Sequence, residues 1–106
     1  MAEAELDRIV RVVVEKFDPE RIVLFGSRAE GRAAPDSDAD LLIVMRTSLP
    51  FWSRGGAIRS ALGYQRLGLD LLVYTPEEIA GRAQDPFSLV HEILRTGRVL
   101  HAKSAA

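Results

Sequence analysis

The sequence predicts an α/β fold, a small mixed sheet packed by helices. Three observations carry that prediction. Short two-sided apolar runs recur at 21–25, 38–45 and 69–74. Amphipathic or capped helical segments alternate with them, and alternation of this kind builds layers around a sheet. The chain has 106 residues, 47% of them hydrophobic and none of them cysteine. That suits one domain over 1–106 with a packed core and excludes a disulfide framework or a thiolate metal site.

The elements follow in order. Leu6, Ile9, Val10, Val13, Val14 and Phe17 recur at helical spacing and predict a helix over 3–17, which Asp18-Pro19 ends. RIVLF at 21–25 is β-branched and apolar, as a buried strand is. Gly26-Ser27 stops it, and a short helix is expected over 27–32 with Ser27 near its N-cap. The loop 34–37 holds Pro35 and turn-forming residues. DADLLIVM at 38–45 is a second strand, entered through two acids, Asp38 and Asp40. The stretch 47–53 is expected to be irregular and 57–67 helical, with Gly55-Gly56 and Gly63 weakening that helix. LDLLVY at 69–74 is a third strand. Thr75, Pro76 and Glu78 form a helix start with cap, first-turn proline and capping-box acid. A last helix covers 86–95 and stops near Gly97, residues 98–101 pair as a short strand or simply pack, and 103–106 fray.

Charge is uneven beneath a formal net charge of −1. Residues 41–69 carry Arg46, Arg54, Arg59 and Arg66 and no acid, a stretch that either faces phosphate or an acidic partner or is a solvated surface. The near-neutral total argues against direct nucleic-acid binding. The longest apolar run, 41–45, is far short of a membrane span, and the N-terminus lacks a basic-then-apolar leader, so a cytoplasmic protein without membrane attachment is expected.

The chemistry lies in three acids and one turn. Asp38 and Asp40 sit two apart on a predicted strand, so their side chains share a face with Cβ atoms roughly 6–7 Å apart. Two carboxylates placed this way repel unless a hard cation lies between them, and the loop 33–37 supplies none. Asp70 is the only charge within 67–74, and an acid opening an apolar strand is costly without a role. If the second and third strands are neighbours, Asp70 completes a three-carboxylate cup in which one acid serves as general base. Each acid alone reads as a turn cap or a solvent-facing charge. Gly26-Ser27 permits close backbone approach to a phosphate, with the Ser27 hydroxyl and the Arg28 cation alongside.

Other residues carry less. His91 reads as a partly exposed helix histidine, and His101 lies near the end of the chain. Phe51-Trp52 is either core cover or an interface anchor. Tyr74 shares a strand face with Asp70, while no spacing rule selects Arg32 or Arg46 for phosphate.

Taken together, these residues resemble a known family. GSRAEGRAAPDSDADLLIV, 26–44, is similar to the signature of the minimal nucleotidyltransferases of the DNA polymerase beta superfamily: a Gly-Ser turn, a spacer, then Ser-Asp-x-Asp-Leu on a strand. LDLLVYTPEE, 69–78, resembles the segment bearing the family's third carboxylate, and ILRTGRVLHA, 93–102, its C-terminal ending. The resemblance spans roughly 20–102 and leaves 47–67 without a motif. Ala39 stands where a larger aliphatic residue is common.

The resemblance implies a nucleotidyltransferase palm. Asp38, Asp40 and Asp70 would be its catalytic and metal-binding residues, with Mg²⁺ or Mn²⁺ as cofactor and ATP as substrate. Gly26 and Ser27 would hold the β- and γ-phosphates, with Arg28 beside them. A nucleoside monophosphate, AMP above all, would pass to a hydroxyl. Family members this small are often antitoxins of small all-helical HEPN-type toxins, encoded nearby, and some transfer AMP to a toxin tyrosine. Two other functions stay open: transfer to a small molecule with a partner supplying the acceptor site, and neutralisation by stoichiometric binding alone.

Overall fold

The computed structural model describes residues 2–31 and 38–103. Its elements are α1 (Ala2–Phe17), β1 (Arg21–Phe25), β2 (Ala39–Val44), α2 (Phe51–Leu62), β3 (Leu69–Tyr74), α3 (Pro76–Ala83), α4 (Leu89–Thr96) and β4 (Arg98–Ala102). The sheet runs β3-β2-β1-β4. β1 pairs antiparallel with both β2 and β4. β2 and β3 are parallel, joined through α2, so the sheet is mixed as expected.

Alternation along the strands divides the core into two faces. Leu41 and Ile43 of β2 point to one face, where they pack with Leu6, Ile9, Val13 and Ile58 from α1 and α2. Leu42 and Val44 point to the other, with Val23, Ile93, Leu72, Tyr74 and Ile79. Ile9, Leu41, Leu42, Ile43 and Ile58 have no exposed surface. Burying each such side chain contributes roughly 1.5–3 kcal/mol. No helix among the described residues is long and apolar enough to cross a membrane.

Several boundaries differ from the sequence reading, each for a local reason. α2 starts at Phe51, in the stretch expected to be irregular, and ends at Leu62 rather than 67. Its early start is held by Arg54, whose guanidinium donates to Leu49 O (3.0 Å), Val73 O (3.2 Å) and Glu78 Oε1 (2.7 Å). These tertiary bonds override the low helix propensity of Gly55-Gly56. Gly63, at φ 68° and ψ −146°, ends the helix. Residues 27–31 form turns rather than a helix, with Glu30 N donating to Gly26 O and Gly31 N to Arg28 O, both 3.3 Å. Gly31 takes φ 73°, which stops helical propagation; residues 32–37, including Arg32 and the expected loop, lie outside the described residues.

α3 follows its signals closely. Thr75 and Glu78 form a complete capping box and Pro76 occupies the first turn. α4 begins at Leu89, three residues later than expected, because the Ser88 side chain caps it by accepting from His91 N. Residues 98–102 form a true strand. Lys103 is anchored rather than frayed: its N–H donates to Glu20 O (2.8 Å) and its ammonium to Asp18 Oδ2 (2.7 Å). Residues 104–106 lie outside the described residues.

The four arginines of the basic stretch make separate contacts. Arg54 is buried on Glu78, Arg46 pairs with Glu77 (3.1 Å), Arg59 donates to Leu69 O (2.5 Å), and the Arg66 N–H donates to Glu5 (2.8 Å). The arginines therefore tie α2 and its flanking loops to the rest of the molecule.

Candidate active site

The parallel pairing of β2 and β3 places the acids. Register sets Ala39 beside Leu69 and Asp40 beside Asp70. Both aspartates project from the α3/α4 face of the sheet, two residues before Leu42 and Leu72. The condition on which the cup depended, adjacent second and third strands, is met.

β1 brings the turn to the same end. Its last residue, Phe25, pairs with Asp40, and Gly26 follows at φ 75°. A Cβ at Gly26 would collide with Asp40 Oδ2 and come 3.3 Å from its Cγ. Glycine is therefore required twice, for the backbone angle and for the approach of the carboxylate. Ser27 and Arg28 come next, both half-buried in the run of turns. The expected helix N-terminus is absent there, so any phosphate would meet turn N–H groups rather than a helix dipole.

Asp38 lies one residue before β2 and is exposed. It leans over the backbone of Gly68, whose carbonyl accepts from Ala39 N at 2.9 Å.

Electrostatics single out Asp40. Partial burial pushes its carboxyl above the ordinary value, and a hydrogen bond with Asp70 and the negative charges of Asp70 and Asp38 push the same way. No lysine or arginine among the described residues forms an ion pair with any of the three acids. Glu78 has the opposite environment, and Arg54 holds its carboxyl below the usual range.

These residues fit a hard divalent cation as an open site. Among the described residues, no three His, Cys, Asp or Glu side chains close into a ready cage. The expected cup is instead a directly facing pair, Asp40 and Asp70, with Asp38 beside it. Mg²⁺ is commonly held by one or two carboxylates plus substrate phosphates and water, so an open oxygen-donor pair suits it better than a closed cage. Beyond the effect of burial, a cation between Asp40 and Asp70 would also relieve the repulsion from Asp70 and Asp38 that adds to the upward shift of the Asp40 carboxyl.

A family model described as "Nucleotidyltransferase domain" matches residues 6–92. The chain belongs to that family. Among solved structures, this nucleotidyltransferase domain is similar to a Sulfolobus solfataricus protein assigned as a nucleotidyltransferase, at 26% identity and TM-score 0.57, covering 74% of this chain and 70% of the other. It shares its fold with a toxin–antitoxin solved with AMP-PNP (20% identity, TM-score 0.61, 92% and 73% covered). The MntA–HepT toxin–antitoxin has the same fold (18%, TM-score 0.56, 95% and 73%). No match is found among curated proteins.

The remaining candidates of the sequence lie elsewhere or do other work. Tyr74 is at the opposite end of β3 from Asp70, between the Phe51 ring (centroids 5.3 Å apart) and the Arg82 guanidinium (4.6 Å from its centroid). His91 Nδ1 lies 2.9 Å from Ala83 O and ties α4 to α3. His101 pairs with Ile22 in the sheet. Trp52 is 83% exposed, which removes core cover as its role. Sequence reasoning missed Gly68, whose place under Asp38 appears only once β2 and β3 are in register.

Proposed function

We propose that this nucleotidyltransferase domain is a Mg²⁺- or Mn²⁺-dependent adenylyltransferase, with a hydroxyl of a partner protein as acceptor. The partner is a small all-helical toxin of HEPN type, encoded by the adjacent gene, and this chain is its antitoxin in the cytoplasm. The observation that carries the reading is the facing pair of Asp40 and Asp70, unpaired by any described cation, beside a Gly26 turn that no other residue fits. The fold shared with two toxin–antitoxin proteins, one solved with AMP-PNP, supports the choice of partner and nucleotide.

In this reading Asp38, Asp40 and Asp70 would hold the metal, and Gly26, Ser27 and Arg28 would seat the β- and γ-phosphates. A bound divalent cation would neutralise charge gathering on the α-phosphate. Asp70 orients the acceptor hydroxyl and takes its proton. The acceptor oxygen bonds to the α-phosphorus as the bond from that phosphorus to the α,β-bridging oxygen breaks, and pyrophosphate leaves. Gly26 keeps its backbone close enough for turn N–H groups to reach the phosphates.

The test is incubation of the full chain with α-labelled ATP, Mg²⁺ and the adjacent-gene protein. Covalent label on that protein, lost in Asp38→Asn, is the expected result. Label passing to a small molecule would redirect the acceptor assignment. Toxin neutralisation that survives Asp38→Asn and Asp40→Asn together would replace catalysis with stoichiometric binding.

A further inference from the structure

We infer that Gly68 is a positioning residue for Asp38, an inference that rests on reading Asp38 as a metal-binding carboxylate. Ala39 follows Asp38 and pairs with Leu69, which follows Gly68, so the parallel register sets Gly68 beside Asp38 at the mouth of the site. The Ala39 N–H donates to the Gly68 carbonyl (2.9 Å), locking the two backbones together. A Cβ built on Gly68 collides with Asp38 Oδ1 and lies 2.8 Å from its Cγ and 3.4 Å from Oδ2. The whole Asp38 carboxyl group therefore occupies the space that a side chain at residue 68 would fill.

Conformation does not explain this glycine. Gly63, Gly31 and Gly26 take positive φ, whereas Gly68 does not, so its φ makes no demand for glycine. What it supplies is room. Because Asp38 is exposed, a methyl group at residue 68 would turn the carboxylate outward at little cost to the fold. In the reading of Asp38 as a metal-binding carboxylate, the same rotation would displace that ligand from the place it holds beside Gly68. Gly26 and Gly68 thus act alike on opposite sides of β2: each leaves the space in which one aspartate of the Asp38–Asp40 pair lies.

The experiment measures bound Mn²⁺ by electron paramagnetic resonance on the full chain, with a saturating non-hydrolysable ATP analogue. It compares the parent, Gly68→Ala, Asp38→Ala and the double variant. Gly68→Ala is expected to lose affinity roughly tenfold, the usual scale for displaced support of a metal ligand. Its thermal midpoint should stay near that of the parent. The double variant should bind no worse than Asp38→Ala, because the methyl group has nothing left to displace. Raising Mn²⁺ should restore transfer in Gly68→Ala and not in Asp38→Ala. Parent affinity in Gly68→Ala, or losses that multiply in the double variant, would overturn the positioning role while leaving Asp38 a ligand. Unchanged affinity in Asp38→Ala would instead remove the reading on which the inference rests. If Gly68→Ala fails to fold and the double variant also fails, the contact with Asp38 is not the cause and the inference is wrong.

Discussion

Two carboxylates near opposite ends of one small sheet have opposite surroundings. At one end, Glu78 receives Arg54 through both oxygens (2.7 and 3.3 Å), caps α3 and accepts from the Thr75 N–H (2.9 Å). At the other, Asp40 faces Asp70 and neighbours Asp38, with no described guanidinium or ammonium paired to it. One carboxyl is held below its ordinary range and the other above. An acid that completes a network holds elements together, while acids left facing one another imply a positive group from outside the chain. One end of the molecule thus maintains the fold, and the other is the end proposed to do chemistry.

The sharpest way to break that comparison is Asp40→Asn. Transfer should fall by about 10³-fold or more, the scale seen when electrostatic support of a transition state is removed. Stability should hold or rise, since a repelling charge is gone. Initial rates with labelled nucleotide, together with a thermal melt, check both parts. A variant that unfolds without losing intrinsic rate would make Asp40 a structural acid like Glu78.

Arg54→Met probes the opposite end. It strands the Leu49 and Val73 carbonyls and removes the partner of Glu78, so it should cost about 2–3 kcal/mol by urea denaturation. Mn²⁺ affinity should be unchanged. Lost affinity in a still-folded variant would mean that the two ends are coupled.

The legibility of these two ends differed for a physical reason. The strands could be read because β-branched apolar runs buried on both faces need no periodicity to stand out, and an acid within such a run is conspicuous. Thr75, Pro76 and Glu78 were legible because capping is local. The start of α2 was not, because it depends on Arg54 reaching β3 and α3, and a window holding Gly55-Gly56 scores against a helix. The turns at 27–31 carry the same N-terminal signal as a helix, and the positive φ taken by Gly31 is not part of that signal. Gly68 was invisible because its neighbour Asp38 is far away in sequence and only strand register joins them. The three acids were each legible, whereas their arrangement as an open pair plus one was not, since side-chain rotation is not encoded by spacing.

The smallest effect distinguishes the two carboxylates by the sign of their pH dependence. The Asp40 carboxyl is shifted up, so the folded chain holds that proton more tightly than the unfolded chain does. Its contribution to stability is complete below the unfolded carboxylate pKa and is lost as pH rises through the folded value. Asp40→Asn should therefore gain thermal midpoint over the parent as pH rises from about 4 to 7, measured in EDTA. Glu78 is shifted down, so its contribution is present above the unfolded value and is lost as pH falls through the folded one. Glu78→Gln should fall below the parent at neutral pH, with the gap closing on acidification. Both shifts belong to partly exposed groups, so differences of a few degrees are the expected scale. Millimolar Mg²⁺ at neutral pH should raise the parent's midpoint and leave Asp40→Asn unmoved, because a cation between Asp40 and Asp70 cancels the repulsion that the substitution already removes. Midpoints that move in the same direction for both variants would erase the contrast between the two ends of the sheet.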